Sequence, residues 1–125
     1  MRLVRKSPLW LALGALSLMM CSAPPPLDVD QQRQIGDRQR EWGLIYYVSW
    51  EKEQERNYLR LSRRYMAAAA KSYYDIQVRI GHSYPVFYEL DRKRLQSCAF
   101  LRRIAREAAK HRIDVNGDRA AGCLL

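Results

Sequence analysis

Residues 58–80, YLRLSRRYMAAAAKSYYDIQVRI, decide the fold. Tyr58, Leu61, Tyr65, Ala69, Ser72, Ile76 and Ile80 recur at three- and four-residue steps, which places them along one helical stripe. Arg60, Arg63, Arg64 and Lys71 fall mostly off that stripe. The run Ala67–Ala70 has the highest intrinsic helix propensity available, so the middle of the segment is helical on local grounds as well. A counter-signal sits at its end, where Tyr74, Ile76, Val78 and Ile80 alternate with Asp75, Gln77 and Arg79 at the period of a strand. The stretch 43–50, GLIYYVSW, is also dense in aromatic and β-branched residues. The reading is a mainly α domain, a small helical hairpin or three-helix unit. Its alternative is an α+β fold with strands near 43–50 and 74–80.

C-terminal to that segment, Leu95, Cys98, Leu101, Ala105 and Ala108 form a second stripe with Ile104 alongside, and Arg94, Arg102, Arg103 and Arg106 form its basic outer side. This helix is expected from about Pro85 or Asp91 to about His111. Between the two, Gly81-His82-Ser83-Tyr84-Pro85 supplies a stop and a start, because glycine suits a helix C-cap and proline the first helical turn. N-terminal to it, an earlier helix is expected over about Val29–Trp50, turning Ile35, Trp42, Ile45, Tyr46 and Trp50 toward its partners. The polar stretch 51–57, EKEQERN, reads as an exposed part of a continuous helix, with Glu51 and Glu55 four residues apart.

The first residues carry a different signal. Arg2, Arg5 and Lys6 precede a charge-free, largely apolar run of thirteen residues, Leu9–Cys21, shorter than the ~20 residues a membrane-crossing helix requires. This is the pattern of an export signal. Leu18-Met19-Met20-Cys21 resembles the lipobox of bacterial lipoproteins, with a leucine three positions before the cysteine; Met20 stands where those signals carry a small residue. The resemblance implies cleavage before Cys21, lipidation of Cys21, and, with Ser22 at the sorting position, an outer-membrane location facing the periplasm. Alternatives are a soluble periplasmic protein cut after Ala23 and an uncleaved, inner-membrane signal anchor. The next residues, 22–27 (SAPPPL), fit an extended polyproline tether. The organisation is thus a signal and lipobox over 1–21, a tether over 22–27, and one small basic domain over 28–125.

Without the three signal cations, nineteen cations face thirteen anions, a formal net charge of +6. Anionic partners follow from that balance. Seventeen of all the cations are arginine, whose forked guanidinium matches phosphate and carboxylate, although a GC-rich genome produces the same bias. With Cys21 assigned to the signal, Cys98 and Cys123 remain as an even pair. In an oxidising envelope they are expected to bond, stabilising a small core by roughly 3 kcal/mol.

The tail contains Asp114-Val115-Asn116-Gly117-Asp118, with oxygen side chains at alternate positions after a helix. Asp114, Asn116 and Asp118 resemble the opening of the calcium loops of EF-hand and dockerin proteins, which implies calcium as a candidate ligand. Arg119 stands where those loops have glycine, and the twelfth position is Leu125 instead of glutamate. The competing reading is an Asn-Gly turn. His82, His111, Cys98 and Cys123 match no zinc spacing, and no serine is framed by glycines, so no catalytic residue and no cofactor is assigned. His111 is expected near a helix C-terminus as a cap. Arg60, Arg63 and Arg64 on one helix and Arg102, Arg103 and Arg106 on the next form the candidate patch for an anionic partner. Export disfavours nucleic acid and favours lipid headgroups, lipopolysaccharide phosphates or an acidic envelope protein. The functional expectation is a membrane-tethered lipoprotein acting as a non-enzymatic interaction or assembly factor of the cell envelope. A binding domain for calcium or an anionic ligand is the alternative.

Overall fold

The computed structural model describes residues 28–115 and 120–123, so the signal, the tether and the segment 116–119 lie outside it. Three helices of equal length follow one another, α1 over Val29–Glu53, α2 over Arg56–Ile80 and α3 over Val86–Lys110, and a 3-10 turn over Ala121–Cys123 returns to them. The domain is mainly α, and the described residues contain no strand. Both stretches with strand character are helical: 43–50 belongs to α1 and 74–80 to α2. Tertiary burial overrides local β propensity there, because Tyr47 and Trp50 in the first stretch, and Ile76 and Gln77 three and four residues after the buried Tyr73 in the second, are buried at helical spacing.

The polar stretch 51–57 is not a continuous helix. Gln54 takes a left-handed conformation at φ 54°, and its backbone N–H returns to the Trp50 carbonyl at 2.8 Å, ending α1. The reversal folds α2 back so that Trp50 and Tyr47 of α1 meet Leu59 and Met66 of α2 in one core cluster. Burial of those side chains outweighs the pairing of exposed charges, which is worth only tenths of a kcal/mol. At the other end Gly81, at φ +73°, stops α2 with its N–H on the Gln77 carbonyl at 2.9 Å. Pro85 then sits at the entry of α3 and His111 at its C-cap, as their residue types predict.

α2 is the central helix, packed on one side by α1 and on the other by α3 and the terminal turn. Its buried face is Leu59, Ser62, Met66, Ala69, Ala70, Tyr73, Ile76 and Gln77, about one residue out of phase with the sequence stripe. α1 comes close through glycines seven residues apart: a Cβ on Gly36 would stand 2.8 Å from the Tyr73 ring, and one on Gly43 would stand 2.9 Å from the Met66 methyl. Ser62 seals this contact by donating its hydroxyl to the Gly43 carbonyl at 2.7 Å. The buried face of α1 is therefore Gly36, Gly43, Tyr47 and Trp50, and of the five residues expected to face inward only Trp50 is fully buried. Ile35, Trp42 and Ile45 are exposed, since the small residues take the contact and displace the large ones to the flanks.

α1 and α3 are joined by long side chains across a wider gap. Lys93 Nζ reaches both Asp37 oxygens at 2.9 and 3.1 Å, and Arg40 donates to Gln96 at 3.2 Å. Phe100 meets Tyr47 edge to face at 5.0 Å, with the Arg103 guanidinium over the Tyr47 ring at the same distance. In α3, Cys98, Ile104 and Ala108 are buried as the stripe predicts, while Leu95 and Ala105 face solvent.

Candidate functional site

The tail is held to the bundle by two attachments close together. Cys98 of α3 and Cys123 of the turn form the disulfide expected for this pair, with Cα atoms 5.6 Å apart and a sequence separation of 25. Beside it, Gly122 rests on the backbone of α2, where an added Cβ would lie 2.7 Å from the Ala70 carbonyl carbon. Only a residue without a side chain allows that approach.

Arg94 completes the clasp, and the sequence reading had placed it on the outer side of α3. It is 8 % exposed, because it lies against α2 and under the tail. Its Nε donates to Gln77 Oε1 at 3.0 Å, its Nη1 to the Gly122 carbonyl at 2.7 Å and its Nη2 to Asp91 Oδ1 at 2.8 Å. Gln77 Nε2 also donates to Asp91 Oδ1, at 3.0 Å. The hydrogen bonds from Gln77 and then Arg94 hold the Asp91 carboxyl below the usual carboxylate range. Spacing alone could have flagged the pair: Arg94 lies three residues after Asp91 on one helix face, and four before Cys98.

A second polar group ties α1, α2 and α3 together. Tyr73 donates its hydroxyl to Asp37 Oδ1 at 2.6 Å, and Lys93 donates to the same carboxylate. Burial raises the Asp37 carboxyl, but the hydrogen bonds from Tyr73 and Lys93 together outweigh it and lower the net value. Burial first, and the Asp37 anion second, push the Tyr73 phenol well above its ordinary value. The members of each group bond one another across helices, an arrangement suited to locking helices together.

Two surface depressions flank the tail. The first, of about 590 Å³, is lined by Asn57, Arg60, Leu61, Arg63, Arg64, Ala67 and Val115, so the first half of the expected basic patch does converge. Arg60 Nε donates to the Asp114 carbonyl at 3.0 Å and its Nη1 to the Asn57 side chain at 3.3 Å. Arg102, Arg103 and Arg106 do not line this groove; all are exposed on α3, and Arg103 covers the rings of Tyr47 and Phe100. The second depression, of about 510 Å³, is lined by Tyr74, Gln77, Val78, Gly81, His82, Phe87, Tyr88, Asp91 and Arg94, with the polar clasp as its floor.

Among the expected calcium ligands, Asp114 is exposed, and Asn116 and Asp118 lie outside the described residues. Cys21 lies outside them as well. Among the described residues no three His, Cys, Asp or Glu side chains group to hold a metal ion, and no helix is long and apolar enough to cross a membrane. His82 stands exposed beside Phe87 with ring centroids 4.2 Å apart, and His111 pairs its Nε2 with Glu107 at 3.2 Å and meets the Trp50 ring. Along the α1–α2 seam runs an aromatic strip that the sequence reading dispersed: Tyr46 stacks on Tyr65 at 5.6 Å and on Tyr58 at 6.1 Å, and Trp42 closes on Tyr46 at 5.9 Å and Tyr65 at 6.4 Å. No protein-family model matches this chain, nor does any curated protein or any solved structure.

Proposed function

We propose that the chain is exported and tethered to a membrane of the bacterial cell envelope through Cys21, where it acts as a non-enzymatic interaction or assembly factor. The disulfide between Cys98 and Cys123 is the observation that carries this reading. Such a bond persists in an oxidising compartment and is rare in a reducing cytosol, in keeping with the signal pattern of residues 1–21. Binding is favoured over catalysis because the polar clusters that join the helices, Arg94 with Gln77 and Asp91, and Tyr73 with Asp37 and Lys93, are engaged with one another. What the domain offers to a partner is surface: exposed apolar residues on α1 and arginines on α2 and α3.

Cys21→Ala tests the reading. Loss of lipid labelling and of membrane retention supports it. Retention with an uncut signal replaces the lipoprotein by a signal-anchored protein, and release of a soluble, unlipidated wild-type chain replaces it by a periplasmic one. Convergence of Arg60, Arg63 and Arg64 on one groove favours, as a second reading, an envelope domain that binds an anionic ligand. Its calcium version rests on Asp114, Asn116 and Asp118; thermal unfolding unchanged by millimolar calcium removes it.

A further inference from the structure

Resting on the tethered reading, we infer that the α1–α2 seam is a bilayer-docking face, seated at the level of anionic lipid headgroups. Of the nine large apolar side chains exposed among the described residues, five belong to α1, Ile35, Trp42, Leu44, Ile45 and Val48, at 41 to 48 % exposure, with Leu44 on the flank that faces Gln96 and Phe100 of α3. Scattered exposed apolar residues need no partner, but Ile35, Trp42 and Ile45 recur at seven- and three-residue steps on α1, one stripe beside the contact of Trp42 with Tyr65 of α2. A helix apolar on more than its core-facing side is normally covered on that side too.

Three features identify lipid as the cover. Trp42, Tyr46, Tyr65 and Tyr58 form a continuous aromatic strip beside those residues, and tryptophan and tyrosine, apolar in body and polar at the tip, are the side chains that settle between acyl chains and headgroups. One turn from Tyr65 on α2 stands Leu61, which leads into the groove lined by Arg60 and Arg64. An apolar centre with arginines along its edge is the charge arrangement of a surface that meets phosphate. Finally, the tether is short: from Cys21 to Val29 the chain advances eight residues, at most about 29 Å when fully extended, which keeps the start of α1 within that reach of the membrane. The footprint ends at the α1–α2 corner, where Glu51, Glu53 and Glu55 would face the headgroups with the wrong sign.

The test uses the mature chain as cells export it, mixed with phosphatidylethanolamine–phosphatidylglycerol vesicles or with phosphatidylcholine vesicles, each with and without bromine on the upper acyl chain. Trp42 emission is isolated by subtracting Trp42→Phe, which leaves the buried Trp50. The expected result is a blue-shifted Trp42 signal, quenched by the brominated lipid and more strongly in the anionic vesicles. Arg64→Gln is expected to weaken the anionic preference about fivefold, the equivalent of the ~1 kcal/mol one basic side chain contributes near such a surface. Ile45→Glu, on the exposed side of α1, is expected to abolish quenching with the thermal midpoint unchanged. A lipidated chain that floats with vesicles while Trp42 stays unquenched overturns docking and leaves the tether standing; a protein partner as the true cover gives that result. A chain that carries no lipid overturns the tether instead. Docking then stands if that chain still binds anionic vesicles through Trp42 and Arg64, and falls if it does not.

Discussion

Arg94 Nη1 donates a 2.7 Å hydrogen bond to the carbonyl oxygen of Gly122, twenty-eight residues further along the chain. The guanidinium thereby joins α2, α3 and the terminal turn through Gln77, Asp91 and Gly122. Arg94→Met keeps much of the side-chain volume but leaves the Gln77 and Gly122 oxygens without their donor. Each buried acceptor so orphaned costs about 1–3 kcal/mol, so a loss of roughly 2–6 kcal/mol is expected. For a domain of this size that lowers the thermal midpoint by more than about 10 °C. Thermal unfolding followed by circular dichroism checks it; a shift of a degree or two would mean that Arg94 is peripheral.

The disulfide performs part of the same task by covalent means. Cys98→Ala with Cys123→Ala, or chemical reduction, is expected to cost about 3 kcal/mol, the chain-entropy value for a loop of this length. Because Cys123 and Gly122 are neighbours, the clasp and the bridge restrain the same segment. Their effects are therefore expected to be non-additive: Arg94→Met in the bridge-free protein costs less than Arg94→Met in the wild type. Denaturant unfolding of the four proteins of the cycle measures the coupling, and strict additivity would show that the two attachments act independently.

The helical class, the end of α2, the approximate limits of α3 and the Cys98–Cys123 pair were legible because each rests on a local signal: period, Gly81, Pro85 and an even pair of cysteines. The phase of the helices was not. Apolar periodicity assumes that large side chains face inward, whereas α1 meets α2 through Gly36 and Gly43, and the bulk of Trp42 and Ile45 is turned outward. The break at Gln54 was hidden for a related reason, since left-handed turns are usually marked by glycine or asparagine and here a glutamine accepts the conformation. Arg94 looked like a solvated charge because its partners, Gln77 and Gly122, are distant in sequence. Of the basic patch, the three positions on α2 converge on one groove, and the three on α3 do not line it, Arg103 lying instead over the Tyr47 ring of α1.

Three glycines grade the tolerance of the packing. At Gly122 an added methyl meets the Ala70 backbone carbonyl, which belongs to the middle of α2 and cannot shift without disturbing the helix. At Gly43 the nearest atom, at 2.9 Å, is the end of the flexible Met66 side chain, with the Met66 amide nitrogen at 3.3 Å. Gly36 is intermediate, since the Tyr73 ring in its way is fixed by the hydroxyl bond to Asp37. Overpacking typically costs about 1–3 kcal/mol, and the expected order of loss is Gly122→Ala, then Gly36→Ala, then Gly43→Ala. Thermal midpoints of the three variants check the order, and Gly43→Ala as the worst of them would contradict the packing described.

The ionised carboxylates set the acid limit of the fold. Asp37 and Asp91 both hold their protons less tightly in the folded chain than in the unfolded one. The stability they contribute is therefore complete above the ordinary aspartate value near ~3.9 and is lost as pH falls through their depressed folded values. Tyr73→Phe removes one of the two hydrogen bonds that offset the burial of Asp37, so the Asp37 value rises toward that of the unfolded chain, and the acid loss becomes smaller and is complete at a higher pH than in the wild type. Asp37→Asn takes the group out of the titration and gives a shallower acid dependence on a lower plateau. At the basic end the sign reverses, because the Tyr73 phenol holds its proton more tightly when folded. Its contribution is complete below the ordinary tyrosine value near ~10 and declines above it, a decline absent from Tyr73→Phe. Urea midpoints taken from pH 2.5 to 11 on the wild type and both variants test all three statements. An acid limb in Tyr73→Phe that coincides with the wild type would show that the Tyr73 hydroxyl does not hold the Asp37 charge.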